Sequence, residues 1–237
     1  MLQRIELADR IDLEPSQEIR VEGFEDDTLV RDALTLLAEA AGASPGWAVR
    51  IEKEIPVAAG LGGGSSDAAA ALRLANETLE QPLSPGALHT LAAALGADVP
   101  FFLADGPQLG EGDGSDLTPL DLPQSYAVVL VLPRGSAKPS TAAVYAAFDE
   151  RGGADGYEQR RAQLLAALSA GDLAALPPND LAASPLAEEL RALGALRADV
   201  TGAGPAVYAL FGHRPHAKAA AARMEGRGRV WAGGPAW

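Results

Sequence analysis

The segment Pro56-Val57-Ala58-Ala59-Gly60-Leu61-Gly62-Gly63-Gly64-Ser65-Ser66-Asp67 combines residue types that can hold a chain of phosphates. Its glycines let the backbone approach a ligand closely and take positive φ where a turn demands it. The segment runs into a helix-forming stretch. The first N–H groups of a helix lack partners of their own and lie at the positive end of its dipole. Such a loop is a socket for a diphosphate or triphosphate, built from backbone N–H groups without any basic side chain. Ser65 and Ser66 add hydroxyl groups, and either can also coordinate a phosphate-bound Mg2+.

The letters exclude two familiar phosphate loops. A Walker A loop needs Gly-Lys followed by Ser or Thr, and no lysine stands here. A dinucleotide fingerprint, G-x-G-x-x-G begun at Gly60, would need glycine at residue 65, which is serine. A glycine cluster by itself also fits a flexible linker or a ligand-free helix cap. The strand before it and the amphipathic helix after it favour the phosphate socket.

Those flanking elements are readable from periodicity. Residues 47–52 alternate apolar and charged side chains, as a half-buried strand does, and residues 65–79 form an Ala/Leu-rich helix. A second helix starts at Ser84-Pro85, an N-cap followed by proline at the first helical position, and runs toward Leu95. Gly110 to Gly114 reads as a surface turn, and residues 126–132 as a buried strand. Beyond it the pattern predicts helices, a strand at Asp199 and Val200, a glycine turn, a strand over 206–211, a helix and a strand over 229–231. The fold class expected is α+β. The Pro119 to Pro123 stretch suggests two domains, residues 1–122 and 123–237.

With 237 residues the chain can build a proper core in one large domain or two small ones. The net charge of −13 argues against general nucleic-acid binding, which depends on neutralising phosphates with Lys and Arg. Cysteine is absent, so thiol catalysis and cysteine-ligated zinc are excluded. No apolar run reaches the roughly eighteen residues of a membrane span. The start carries no signal-peptide pattern, and the cytoplasm is the expected compartment. His89, His213 and His216 read as surface polar residues.

Residues 51–74, from Ile-Glu-Lys-Glu-Ile-Pro through Gly-Leu-Gly-Gly-Gly-Ser-Ser-Asp-Ala-Ala-Ala, closely resemble the phosphate-binding motif of the GHMP kinases. The likeness is strongest to the branch that acts on 4-diphosphocytidyl-2-C-methyl-D-erythritol. Leu95-Gly96-Ala97-Asp98-Val99-Pro100-Phe101-Phe102 resembles the segment with that family's catalytic aspartate. Pro139-Ser140-Thr141 with Val144-Tyr145, then Asn179-Asp180-Leu181, Pro185-Leu186 and Leu193-Gly194-Ala195, follow in the family's order. Val200-Thr201-Gly202-Ala203-Gly204-Pro205-Ala206 stands where the family has its second glycine loop. The resemblance implies a two-domain kinase fold with a ferredoxin-like C-terminal half. It implies ATP as phosphate donor, Mg2+ as its ion, and a small-molecule alcohol as acceptor in non-mevalonate isoprenoid synthesis. Neither a nucleic-acid nor a membrane partner is implied, and the oligomeric state is left open.

Carried over residue by residue, the resemblance makes Asp98 the general base; read alone, a carboxylate in that loop is more often merely solvated. It makes Pro56, Val57, Ala58, Ala59, Gly60, Leu61, Gly62, Gly63, Gly64, Ser65 and Ser66 the ATP-binding loop, and it assigns no metal-binding residue. The family opens with a motif like Pro-Ala-Lys-Val-Asn-Leu and a segment ending in Asp-Gly-Tyr-His. Neither precedes Leu7-Ala8-Asp9-Arg10-Ile11, and none of Lys53, Lys138 and Lys218 replaces the missing lysine. Met1 is therefore expected to be an internal methionine, and the first sheet to lack a strand. Thr201-Gly202-Ala203-Gly204-Pro205 has one hydroxyl fewer than the usual third motif, and Thr28 stands where an adenine-holding asparagine is common. Two other readings fit the same letters: another small-molecule GHMP kinase, and a catalytically impaired ATP-binding relative.

Overall fold

The computed structural model describes residues 1–24, 28–42, 46–136 and 140–236; Lys138 and Pro139 lie outside the described residues. The chain divides into two compact units. One comprises Met1–Val57 with Gly62–Leu120, the other Ala58–Leu61 with Asp121–Ala236. No helix among the described residues is long and apolar enough to cross a membrane.

The first unit runs β1 (Arg10–Ser16), β2 (Arg20–Glu22), α1 (Thr28–Ala40), β3 (Gly46–Glu52), α2 (Gly63–Glu77), α3 (Pro85–Leu95), β4 (Gln108–Glu111) and β5 (Asp116–Pro119). Strand β3 is central, antiparallel to β1 from Arg10↔Glu52 to Ser16↔Gly46 and parallel to β2. Its alternation does what the sequence predicts: Trp47, Val49 and Ile51 are buried, while Arg50 and Glu52 are exposed. Against that face pack Val30, Leu34 and Leu37 of α1, spaced as one helical stripe, and Ala68, Leu72 and Ala75 of α2. The Trp47 indole Nε1–H donates to Thr78 Oγ1 at 2.9 Å, and that hydroxyl donates to Ala75 O at 2.7 Å. The far end of α2 is thereby pinned to the sheet.

Helix α3 starts as its sequence says it should. Ser84 Oγ accepts from Ala87 N–H at 3.3 Å, and Pro85 occupies the first turn. Gly110 to Gly114, expected as a plain surface turn, is more ordered than that. Gly110 and Glu111 close β4, and the turn into antiparallel β5 is made at Gly112 and Gly114, with φ of 65° and 107°. Leu2 pairs with Gln108 on the hairpin, Leu2 N–H donating to Gln108 O at 2.7 Å.

The second unit runs β6 (Ala127–Pro133), α4 (Thr141–Glu150), α5 (Tyr157–Ser169), α6 (Pro185–Ala192), β7 (Arg197–Val200), β8 (Val207–Phe211), α7 (Arg214–Met224) and β9 (Gly228–Gly233). Its antiparallel sheet has the order β7-β8-β6-β9. The chain order β-α-β-β-α-β with that arrangement is ferredoxin-like, so the α+β expectation holds. Val129, Val131, Ala209 and Phe211 form the buried sheet face, and Ala217, Ala220 and Met224 of α7 cover it together with Leu190 of α6.

Two half-buried groups contribute to the alkaline behaviour of the chain. Burial, with Tyr208 beside it, pushes the Tyr126 phenol up to about 12 from an ordinary 10.0. Burial alone would lower the Lys53 ammonium, but hydrogen bonds and charge from Asp67 and Asp9 outweigh it and raise it above 10.5. Folding favours the protonated form of both. The Tyr126 contribution is intact below pH 10 and is lost as the pH rises toward 12, and that of Lys53 is intact below 10.5 and lost above it. Melting temperature is thus expected to fall steeply over that range, and Tyr126→Phe to make the fall shallower in circular-dichroism melts.

Candidate functional site

The candidate site is built on the connection from β3 to α2. Pro56, Val57 and Ala58 lead out of the strand, with Val57 63% exposed and Ala58 held at a φ of 56°. Gly60 and Gly62 also take positive φ, 76° and 70°, which favour glycine. At Gly60 a side chain has no room in any case, since an added Cβ would lie 2.6 Å from Gly204 O. Gly62 is the N-cap of α2, and a Cβ there would stand 3.0 Å from the Phe102 ring.

Helix α2 starts at Gly63, and its first ladder bond runs from Ser66 N–H to Gly62 O at 2.8 Å. The N–H groups of Gly63, Gly64 and Ser65 precede that bond and have no carbonyl within the helix to meet. Gly64 lies at the open side of this turn, where an added Cβ would meet nothing within 4 Å. Donors without an intrahelical partner, the positive end of a helix of 15 residues and open space coincide here. Anions are what such a place accepts.

Within the second unit, Ala59 and Gly60 are clasped by the turn between β7 and β8. Ala206 N–H donates to Ala59 O at 3.1 Å, and the Thr201 hydroxyl donates to Gly60 O at 2.9 Å. Thr201 thus keeps the hydroxyl that its glycine-rich motif retains.

Asp98 sits between α3 and the 3-10 turn Pro100–Leu103, in a tight turn closed by Val99 N–H donating to Gly96 O at 3.1 Å. Asp98 is exposed, while Val99, Pro100 and Phe101 beside it are buried. Hydrophobic anchoring fixes the backbone and leaves the carboxylate on the surface. Phe102, in the same segment, is the ring that abuts Gly62. The aspartate's segment and the front of α2 are therefore neighbours, which brings together the two motifs singled out in the sequence.

A buried ion cluster behind the loop was not singled out in the sequence. Lys53 Nζ lies 2.6 Å from both Asp9 Oδ2 and Asp67 Oδ2, and the two carboxylate side chains are each 2% exposed. Asp9 Oδ1 also accepts from Glu54 N–H at 2.6 Å and Ile55 N–H at 2.8 Å, so it shapes the exit from β3. The Phe24 ring centroid stands 5.6 Å from the ammonium. A signal for it exists. Lys53 continues the inward parity of Trp47, Val49 and Ile51, and an inward lysine requires a counter-charge. His89, His213 and His216 are all exposed and take no part.

Known proteins resemble this chain in sequence and in fold. The family model "GHMP kinases N terminal domain" matches residues 28–106, and "GHMP kinases C terminal" matches residues 160–229. A 4-diphosphocytidyl-2-C-methyl-D-erythritol kinase of Geobacter sulfurreducens is 39% identical over 98% of this chain and 86% of its own length. Its counterpart from Symbiobacterium thermophilum is 38% identical over 89% of this chain and 80% of its own. A crystal structure of 4-(cytidine 5'-diphospho)-2C-methyl-D-erythritol kinase superposes with a TM-score of 0.80 at 33% identity, covering 98% of this chain and 88% of that one. A mevalonate kinase structure, at 12% identity and a TM-score of 0.72, shares the fold alone. From its motifs to its full-length likenesses, the chain belongs to the GHMP kinase family.

Proposed function

We propose that the chain transfers the γ-phosphoryl group of ATP to the 2-hydroxyl of 4-diphosphocytidyl-2-C-methyl-D-erythritol, a step of non-mevalonate isoprenoid synthesis. The observation that carries this is the identity of 38% and 39% to kinases of that name over most of both chains. The open, donor-rich start of α2 supports it physically. Residues 56–66 bind the ATP phosphates, chiefly through the N–H groups of Gly63, Gly64 and Ser65. Asp98 accepts the proton as the substrate oxygen bonds to the γ-phosphorus and the bond to the β-phosphate oxygen breaks, releasing ADP.

Ser65 and Ser66, in the first turn of α2, offer the hard oxygen donors that Mg2+ takes and would hold it there. When bound, that ion neutralises charge on the phosphates. The compartment that goes with this reading is the cytoplasm.

The deciding experiment is ADP release with a panel of acceptors. Turnover is expected with 4-diphosphocytidyl-2-C-methyl-D-erythritol and not with homoserine or mevalonate. Preference for either of the latter would overturn the substrate, and ATP binding without ADP release from any acceptor would overturn the kinase reading.

Gly64 separates binding from folding. Since a methyl group there meets no protein atom, Gly64→Ala is expected to leave stability unchanged or raise it by up to about 1 kcal/mol. On the phosphate-loop reading the same methyl crowds the open space beside the N–H groups that open α2, so the KM for ATP is expected to rise. Urea titration and steady-state kinetics on one preparation check both halves.

A further inference from the structure

The Thr201 hydroxyl on Gly60 O is only as well placed as the turn that carries it, and a separate set of side chains holds that turn. Asn179 Nδ2–H donates to Val200 O at 2.9 Å and to Gly202 O at 2.8 Å, bracketing Thr201 on both sides. The rest of Asn179 is committed as well. Its Oδ1 accepts from Leu181 N–H at 2.7 Å, and its N–H donates to Asp199 Oδ2 at 2.8 Å. Asp199 is itself fixed, 6% exposed, accepting from Val200 N–H at 2.8 Å and paired with Arg197 at 2.9 Å. Arg197 donates in turn to the carbonyls of Leu176 and Pro177, which precede Asn179.

We infer that Asn179 is a positioning residue for the phosphate loop, acting through Thr201. The amide is the one side chain that donates to the backbone on both sides of Thr201 among the described residues, and a donor pair at fixed spacing sets a turn's orientation as well as its existence. Thr201 and Ala206 pass that orientation to Gly60 and Ala59. A loop displaced by a fraction of an ångström misplaces every N–H group it offers to phosphate. The inference rests on the phosphate-binding reading of residues 56–66, but the brace itself is a property of the ligand-free chain.

Two measurements test it. Asn179→Asp keeps the acceptor for Leu181 and removes both donors. It is expected to raise the KM for ATP by about tenfold or more while the KM for the alcohol acceptor stays within about twofold. In a Thr201→Val background the same change is expected to add nothing further to the KM for ATP. A folded Asn179→Asp protein with an unchanged KM for ATP, or effects that simply multiply in the double variant, would overturn the inference.

Amide exchange in the unaltered protein covers the case where the variant does not fold. The N–H groups of Asn179, Leu181 and Ala206 are expected to exchange at a common rate, as one opening unit. All three are expected to slow by up to about a hundredfold with ATP at about a hundred times its Kd. Exchange of Ala206 at a rate unrelated to the other two overturns the brace. Common exchange that ATP leaves untouched, with no heat of ATP binding, keeps the brace and overturns the phosphate-binding reading instead.

Discussion

Asp98→Asn is expected to lower kcat by about 10²- to 10⁴-fold, the range that one general base contributes. The KM for ATP is expected to stay within about twofold, since the substitution touches no group assigned to phosphate. Asparagine has the shape of aspartate, and Asp98 is exposed while Val99, Pro100 and Phe101 hold the turn from beneath. Folding therefore has no stake in the charge. Urea midpoints of the two proteins should coincide, which isolates the kinetic effect. Unimpaired turnover in the variant would remove Asp98 from the reaction and return it to the status of a solvated loop residue.

The second large effect falls on stability. Lys53→Met is expected to cost about 3–5 kcal/mol, the penalty for leaving buried charge without its partner. Asp9 and Asp67 would then be left without the cation that lies 2.6 Å from each. Methionine fills the space and keeps the apolar stem, so the loss is electrostatic rather than a cavity. Asp9 also fixes the N–H groups of Glu54 and Ile55, so disturbing it loosens the approach to the glycine loop. Removing a carboxylate as well, in Lys53→Met with Asp67→Asn, is expected to recover part of the loss. A double variant no better than the single one would show that the three groups do not act as a unit.

Features set by neighbours in sequence were legible from the letters. The alternation over residues 47–52, the cap at Ser84-Pro85 and the glycine loop all rest on contacts within one or two turns of chain. The succession of later strands and helices also followed from periodicity, whereas the ferredoxin-like arrangement of that unit was implied by the family resemblance and is seen in the strand order. Features that join distant parts were not legible. Lys53 meets Asp9 across 44 residues, and Thr201 meets Gly60 across 141. Parity marks Lys53 as inward, but it does not say which carboxylate answers. The β4–β5 hairpin was missed because each strand is only 4 residues long, too short for alternation to register. For the candidate site, the loop and Asp98 were proposed from motifs, whereas the ion cluster and the Asn179 brace became visible only in three dimensions.

The chain leaves its first unit at Ala58, completes part of the second, and returns at Gly62. That thread has a consequence for dissecting the gene. A scissor cut at Leu120, where the longer segments part, yields two fragments of which neither is whole. The downstream piece lacks the residues that Ala206 and Thr201 grip, and the upstream piece carries them with nothing to grip them. Complementation between the halves, or a downstream fragment supplied with a peptide of residues 58–61, should restore what the cut removes. Fusion junctions and truncations in this protein are better placed by that excursion than by the midpoint of the sequence.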